Sequence, residues 1–96
     1  MKKLQFYTRY MIDGSAIALL VRGYTDGTYN YYKNDYGTWC AIHPLSGLAI
    51  PNSYGRTRKN AVTMAHNYTE TINKNITIVN HQSMIFQNMI QEAQKV

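Results

Sequence analysis

Acidic side chains are scarce in this chain of 96 residues: five Asp and Glu stand against ten Lys and Arg, for a formal net charge of +5. That imbalance favours an acidic partner such as nucleic acid, an anionic membrane or the acidic groove of another protein. Charge of either sign is thin as well, at 16% of residues, below the usual fraction of about a quarter. The surface must therefore be largely Asn, Gln, Thr, Ser and Tyr. Cysteine occurs once, at Cys40, which excludes an internal disulfide and suits a reducing compartment. The longest apolar run, Ala16 to Val21, is far short of the roughly 20 residues that cross a bilayer, so no membrane-spanning segment is expected, and of the acidic partners a membrane is not the one expected. The opening residues, MKKLQFYTRYM, have a basic pair but no unbroken apolar stretch or small-residue cleavage site, so no signal peptide is expected. Asn67-Tyr68-Thr69 and Asn75-Ile76-Thr77 match a glycosylation pattern that a cytoplasmic chain leaves unused. The expected location is the cytoplasm of a bacterial host.

Recognisable chemistry is missing too. There is no Gly-rich phosphate loop and no nucleophile motif. Asp13, Asp26 and Asp35 fall in expected turns, where their carboxylates serve the backbone, and Glu70 and Glu92 lie on separate helices. Cys40 and His43 are three apart on an expected strand, so their side chains point to opposite faces, and His66 and His81 stand in no ligand spacing. No catalytic residue, metal or cofactor is expected, and the chain reads as a protein that is not an enzyme.

What is present is a run of short strands. Asp13-Gly14 and Asp26-Gly27 suit tight hairpin turns that need positive φ, and Asn34 to Gly37 makes a third turn. They separate LQFYTRYMI, SAIALLVRGY, TYNYYK and TWCAI; His43-Pro44 stops the ladder, and LAI after the next turn reads as a short edge strand. The second run is apolar at every position from Ala16 to Val21, as in a central strand covered on both sides or a contact between two copies. Thr57 reads as a helix N-cap whose hydroxyl accepts from Lys59 or Asn60. Ala61, Ala65, Tyr68 and Ile72 follow at helical spacing up to Asn73. NITIV at 75–79 reads as a further strand, and Ser83 to Lys95 as a second helix with Ile85, Phe86, Met89, Ile90 and Ala93 as its apolar stripe. The expected fold is a single α+β domain over 1–96: an antiparallel meander of four to five strands packed with two α-helices.

Two features ask for a functional explanation. Arg56, Arg58 and Lys59 crowd the start of the first expected helix, where aligned peptide dipoles disfavour each cation by about 0.3–1 kcal/mol. Solvation and salt screening would make them ordinary surface. Alternatively, free N–H groups, the positive dipole end and three cations form a place for phosphates or a row of carboxylates. Seven of the nine tyrosines lie within the first 36 residues. Tyr29 and Tyr31 share a strand face, with Tyr32 on the other, and Tyr54 precedes the basic run. Tyrosine suits wet protein interfaces and stacks on unpaired bases, yet it is also a common half-buried strand residue. The candidate partner- or phosphate-binding set is Arg56, Arg58, Lys59, Thr57, Tyr29, Tyr31 and Tyr54; other cations (Lys2, Lys3, Arg9, Arg22, Lys33) look dispersed.

Residues 37–68, GTWCAIHPLSGLAIPNSYGRTRKNAVTMAHNY, carry a Trp-bearing strand, a turn, a short strand and a Thr-Arg-Lys helix opening. This scheme resembles the arm-type DNA-binding domains of phage integrases, and implies a sheet that enters the major groove with a helix bracing it. The basic helix start after a glycine also resembles the last helix of double-stranded-RNA-binding domains, although their leading helix has no counterpart here. In size, composition and architecture the whole chain is similar to accessory proteins of bacteriophages and mobile elements, the anti-CRISPR proteins among them. That similarity implies a stoichiometric inhibitor covering the nucleic-acid channel or a regulatory surface of a host defence complex, and it transfers no individual residue. Two alternatives stand beside it: a module that binds DNA or RNA directly through the same basic patch, and a structural or assembly protein that dimerises through the apolar second strand.

Overall fold

The computed structural model describes residues 1–95. Four strands form one antiparallel sheet in sequence order: β1 (Lys2–Ile12), β2 (Ser15–Thr25), β3 (Asn30–Lys33) and β4 (Trp39–Ile42). After them come α1 (Arg58–Asn67), the six-residue helical segment α2 (Thr69–Lys74) and α3 (Ile76–Gln94). The α+β meander expected from the turn chemistry is therefore the observed fold, with two principal helices joined by a short one. Among the described residues no helix is long and apolar enough to cross a membrane.

Local chemistry accounts for most of the strand ends. Asp13 and Gly14, at φ 50 and 82, close a two-residue turn that sets the β1–β2 register from Ile12↔Ser15 to Lys2↔Thr25. The Asn34 side chain holds the third turn by accepting from the N–H groups of Tyr36 and Thr38, each at 3.0 Å. The second turn departs from the expected two-residue form. The Asp26 carboxylate instead accepts from the N–H groups of Thr28 and Tyr29, each at 2.9 Å, so four residues span the gap before β3. The LAI segment reduces to one bridge, Ile42↔Ala49, and four strands remain.

The expected strand at 75–79 is helical. Val79, Gln82, Ser83, Phe86, Met89, Ile90 and Ala93 are its buried and half-buried positions, a spacing of three and four that continues the stripe of the second helix backwards by two turns. β-branched residues made NITIV look extended, but packing against the sheet decides between helix and strand. The first helix is likewise interrupted at Tyr68, whose N–H donates to the Ala65 carbonyl at 3.0 Å.

The β1–β2 register places Arg9, Ala18 and Tyr24 on one face of the sheet, and the later strands add Tyr31, Trp39 and Ala41. All the helices lie on this face. One core joins Tyr29, Tyr31, Ala41 and Ile50 to Ala61 and Ala65 of α1, with Trp39, Val62, Tyr68 and Ile72 around it. Near α3, Arg9 donates to the Ser46 and Gln82 carbonyls at 2.8 and 2.7 Å while lying over the Phe86 ring.

The opposite face has no helix, yet Phe6, Thr8, Cys40 and Ile42 on it are buried. The sheet curls to achieve this: the turn after β4 reaches back to β1, where the Arg9 N–H donates to the Gly47 carbonyl at 3.1 Å. Phe6 and Tyr32 meet edge to face inside the curl, 6.2 Å apart. β2 is thus covered by α3 on one face only, so the alternative of a central strand covered on both sides does not hold.

Candidate functional site

Of the seven residues singled out from sequence, the structure buries two. Tyr29 and Tyr31 are 2% and 0% exposed in the core beneath α1, with their hydroxyls bonded to Thr69 and Asp26, each at 2.7 Å. They hold the sheet to the helix and present nothing to a partner. The reason is positional: Tyr31, on the helix-facing side of β3, and Tyr29, in the turn just before it, fill the space between the sheet and α1. Thr57 caps α1, accepting from the Asn60 N–H at 3.2 Å. Tyr54 is exposed and shares a shallow depression with Lys59, Asn60 and Met64, and Arg56 is exposed.

Arg58 answers the question raised by a basic helix start. Its guanidinium lies 4.3 Å from the centroid of the Tyr24 ring and 5.9 Å from that of Trp39. Cation–π attraction of about 0.5–2 kcal/mol outweighs or matches a dipole penalty of about 0.3–1 kcal/mol, so the cation is tolerated there for a structural reason. Arg58→Ala is expected to lower stability by about 1 kcal/mol in denaturant titrations, whereas Arg56→Ala and Lys59→Ala should each stay within about 0.5 kcal/mol of the parent. Equal effects at the three positions would mean that the stacking contributes nothing.

The stacking also brings together cations that looked dispersed. In the β1–β2 register Lys3 lies opposite Tyr24 and Gln5 opposite Arg22. Lys3, Leu4, Gln5, Arg22, Gly23 and Tyr24 line a shallow groove, and Arg58 covers the ring of Tyr24 at its border. No acidic residue lines this groove. Among the described residues the ion pairs are His66–Asp26, Lys74–Glu70 and Lys95–Glu92, and none involves Lys3, Arg22, Arg56, Arg58 or Lys59. Lys3 and Arg22 escaped the sequence reading because their adjacency depends on register. The Asp13-Gly14 turn contains enough information to count the pairing back from Ile12↔Ser15.

Asp26, Cys40 and His43 are bonded within the fold. Partial burial pushes the Asp26 carboxyl up, but bonds from His66, Tyr29, Tyr31 and Thr28 outweigh it and hold the group well below the usual carboxylate range. Burial raises the Cys40 thiol, offset in part by Asn34, and burial lowers His43, whose Nδ1 is 2.9 Å from the Ser46 hydroxyl. A buried thiol held in its protonated form is a poor nucleophile. Among the described residues no three His, Cys, Asp or Glu side chains gather in a way that could hold a metal ion. Comparison with protein-family models, curated proteins and solved structures yields no match to this chain.

Proposed function

We propose that this chain is a non-enzymatic binding protein that docks an anionic surface with the cationic end of its sheet and helix α1. The observation that carries this reading is the acid-free groove of Lys3, Arg22 and Tyr24 with Arg58 stacked at its border; exposed Arg56 and Lys59 are neighbours of Arg58 in sequence, and Lys59 lines the shallow depression with Tyr54. Arg58 is pre-positioned by aromatic contact, so part of the ordering entropy of a cationic contact is already met. The partner we favour is the acidic surface, or the bound nucleic acid, of a host nucleic-acid-targeting defence complex, with the chain acting as a stoichiometric inhibitor of phage or mobile-element type. The similarity in size and composition to anti-CRISPR proteins supports the class of partner, and the cationic end supports its charge.

The test is a pull-down from bacterial lysate with the parent chain and with Lys3→Ala/Arg56→Ala/Lys59→Ala, a variant that leaves the Arg58 stacking untouched. One host complex should be retained by the parent and inhibited at one-to-one stoichiometry. The variant should weaken capture at least about tenfold, the effect of losing about 1.4 kcal/mol across three contacts. Capture unchanged by the variant would remove the cationic end from the function.

A second reading, direct binding of DNA or RNA, draws on the half-buried aromatic rings of Tyr24 and Trp39 beside the cations, the combination that single-strand binders use. It predicts an affinity for free nucleic acid that falls by about 0.7–0.9 log units per log unit of salt for each phosphate contacted. A gel-shift titration with mixed DNA and RNA that shows no shift at low salt would exclude it.

A further inference from the structure

We infer that the chain forms a two-fold dimer in which the free edge of β2 pairs antiparallel with the same edge of a second copy, joining two four-stranded sheets into one. β3 pairs with β2 only at Tyr24 and Thr25, so residues 15–23 have a strand neighbour on one side alone. The two-residue turn makes Ile12↔Ser15 a hydrogen-bonded pair, and bonded pairs then alternate along the hairpin. Ser15, Ile17, Leu19 and Val21 spend their backbone groups on β1, while Ala16, Ala18, Leu20 and Arg22 direct theirs outward. Arg9, which lies opposite Ala18, follows the same alternation, since its N–H points away from β2 to Gly47. Among the described residues no loop or helix backbone takes up the outward groups of β2.

This edge lacks the protection that soluble proteins normally give one. From Ser15 to Val21 it contains no charge, no proline and no bulge. Its side chains are apolar and accessible: Ile17 and Leu19 are 38% and 36% exposed beside Tyr10 and Ile12 at 43% and 45%, and Leu20 is 50% exposed on the other face. Tyr10, Ile12, Ile17 and Leu19 are neighbours on one face of the hairpin, an apolar exposure of the kind that marks an interaction site.

Self-pairing fits this edge because an antiparallel two-fold is self-complementary and needs no charged partner. Outward-directed residues must face outward-directed residues, so the axis passes through a residue and not between two, and centring it on the uncharged stretch Ser15–Val21 puts it at Ala18, with Leu19 as the neighbouring choice. An axis at Leu19 would set the partner's Gly14 against Tyr24, whose outward groups already hold Tyr31. An axis at Ala18 avoids this. Ala16 then opposes the partner's Leu20, Ile17 opposes the partner's Leu19, and about six interchain hydrogen bonds form, two per bonded pair. The partner's Asp13, the one acid of the hairpin, comes to lie beside Arg22, and the symmetry makes that opposite-charge contact twice. The dimer edge shares only Arg22 with the cationic groove, so changes at Ile17 and Leu19 leave the groove intact.

Light scattering on the eluting parent chain should give twice the mass of one chain, and Leu19→Lys should halve it without altering the far-ultraviolet circular dichroism. The pairing edge has its own readout. Ile17→Cys/Leu19→Cys places each new thiol across a non-bonded pair of the dimer, at the short separation that suits a disulfide, while buried Cys40 stays out of reach. Mild oxidation should convert this variant to a covalent dimer on a non-reducing gel, and this holds even if the lysine variant fails to fold. A parent chain that elutes at the mass of a single chain overturns the inference. So does a dimer in which the cysteine pair does not cross-link, because the interface must then lie elsewhere.

Discussion

Gly23→Ala is expected to abolish or nearly abolish cooperative folding, with a loss of at least about 4 kcal/mol. Gly23 has ordinary backbone angles, so the effect is one of space. A Cβ built there runs into the backbone carbonyl of Tyr31 and comes within 3.0 Å of the Phe6 ring. The carbonyl belongs to the neighbouring strand and cannot rotate away. Relief requires β2 and β3 to separate, and they are held together by two ladder pairs only, Tyr24↔Tyr31 and Thr25↔Asn30. Separation would open the sheet between the β1–β2 hairpin and β3, leaving the hairpin tied through Arg9 and through α3. For a domain of this size 4 kcal/mol corresponds to a fall in melting temperature of roughly 15–30 °C. Gly27→Ala makes the control: its Cβ would meet nothing, and only the positive φ of 90 opposes it, for an effect of about 1 kcal/mol. A Gly23→Ala variant that melts with the parent would show that the strands do not approach as described.

Asp26→Ala is expected to destabilise the fold by about 2–4 kcal/mol, because one carboxylate closes four hydrogen bonds from three elements. Oδ1 accepts from the Thr28 and Tyr29 N–H groups of the turn, and Oδ2 accepts from the Tyr31 hydroxyl and from His66 Nε2 of α1, the last two at 2.7 Å each. The side chain is 17% exposed, so these contacts are only partly in competition with water. The Tyr31 hydroxyl matters most, since Tyr31 is completely buried and its proton would be left without an acceptor. Tyr31→Phe removes donor and demand together. Combined with Asp26→Ala it should therefore add less than the sum of the single changes, with a coupling of about 1 kcal/mol. The same group sets an acid dependence. Its folded pKa lies below the unfolded value, so its stabilisation is complete above about pH 5 and is lost as pH falls toward the depressed folded value. Urea midpoints measured from pH 7 to pH 3 should fall with acid in the parent and fall less steeply in Asp26→Ala. Parallel curves would mean that other carboxylates carry the acid sensitivity.

The turns were the most legible part of this chain. Asp13-Gly14 and Asn34 to Gly37 specify backbone angles locally, and with them came the strand count and order. The Thr57 cap and the Ala61–Ala65 spacing identified α1 for the same reason. Asp26-Gly27 shows the limit of that logic: the dipeptide suits a two-residue turn, but the carboxylate bonds to Thr28 and Tyr29 and to partners on β3 and α1. The segment at 75–79 marks another limit. Its β-branched residues favour extension slightly, and the chance to bury a continuous stripe around Phe86 against the sheet overrides that preference.

For the candidate site the division is similar. Arg56, Lys59 and Tyr54 could be singled out from sequence, and they stand exposed. Tyr29 and Tyr31 could not be told from surface tyrosines, because strand alternation says which residues share a face but not which face a helix will cover. Lys3 and Arg22 could be brought together by counting register from the Asp13-Gly14 turn, but they could not be joined to Arg58, because the stacking on Tyr24 connects residues far apart in the chain.

Composition, turn residues and helix caps, which act over a few neighbouring positions, thus determined by themselves a basic α+β meander with a cation-rich helix start. Which face the helices cover, which tyrosines are core, and which cations share a groove were decided only in the tertiary structure, because these depend on apolar burial and strand pairing between distant residues.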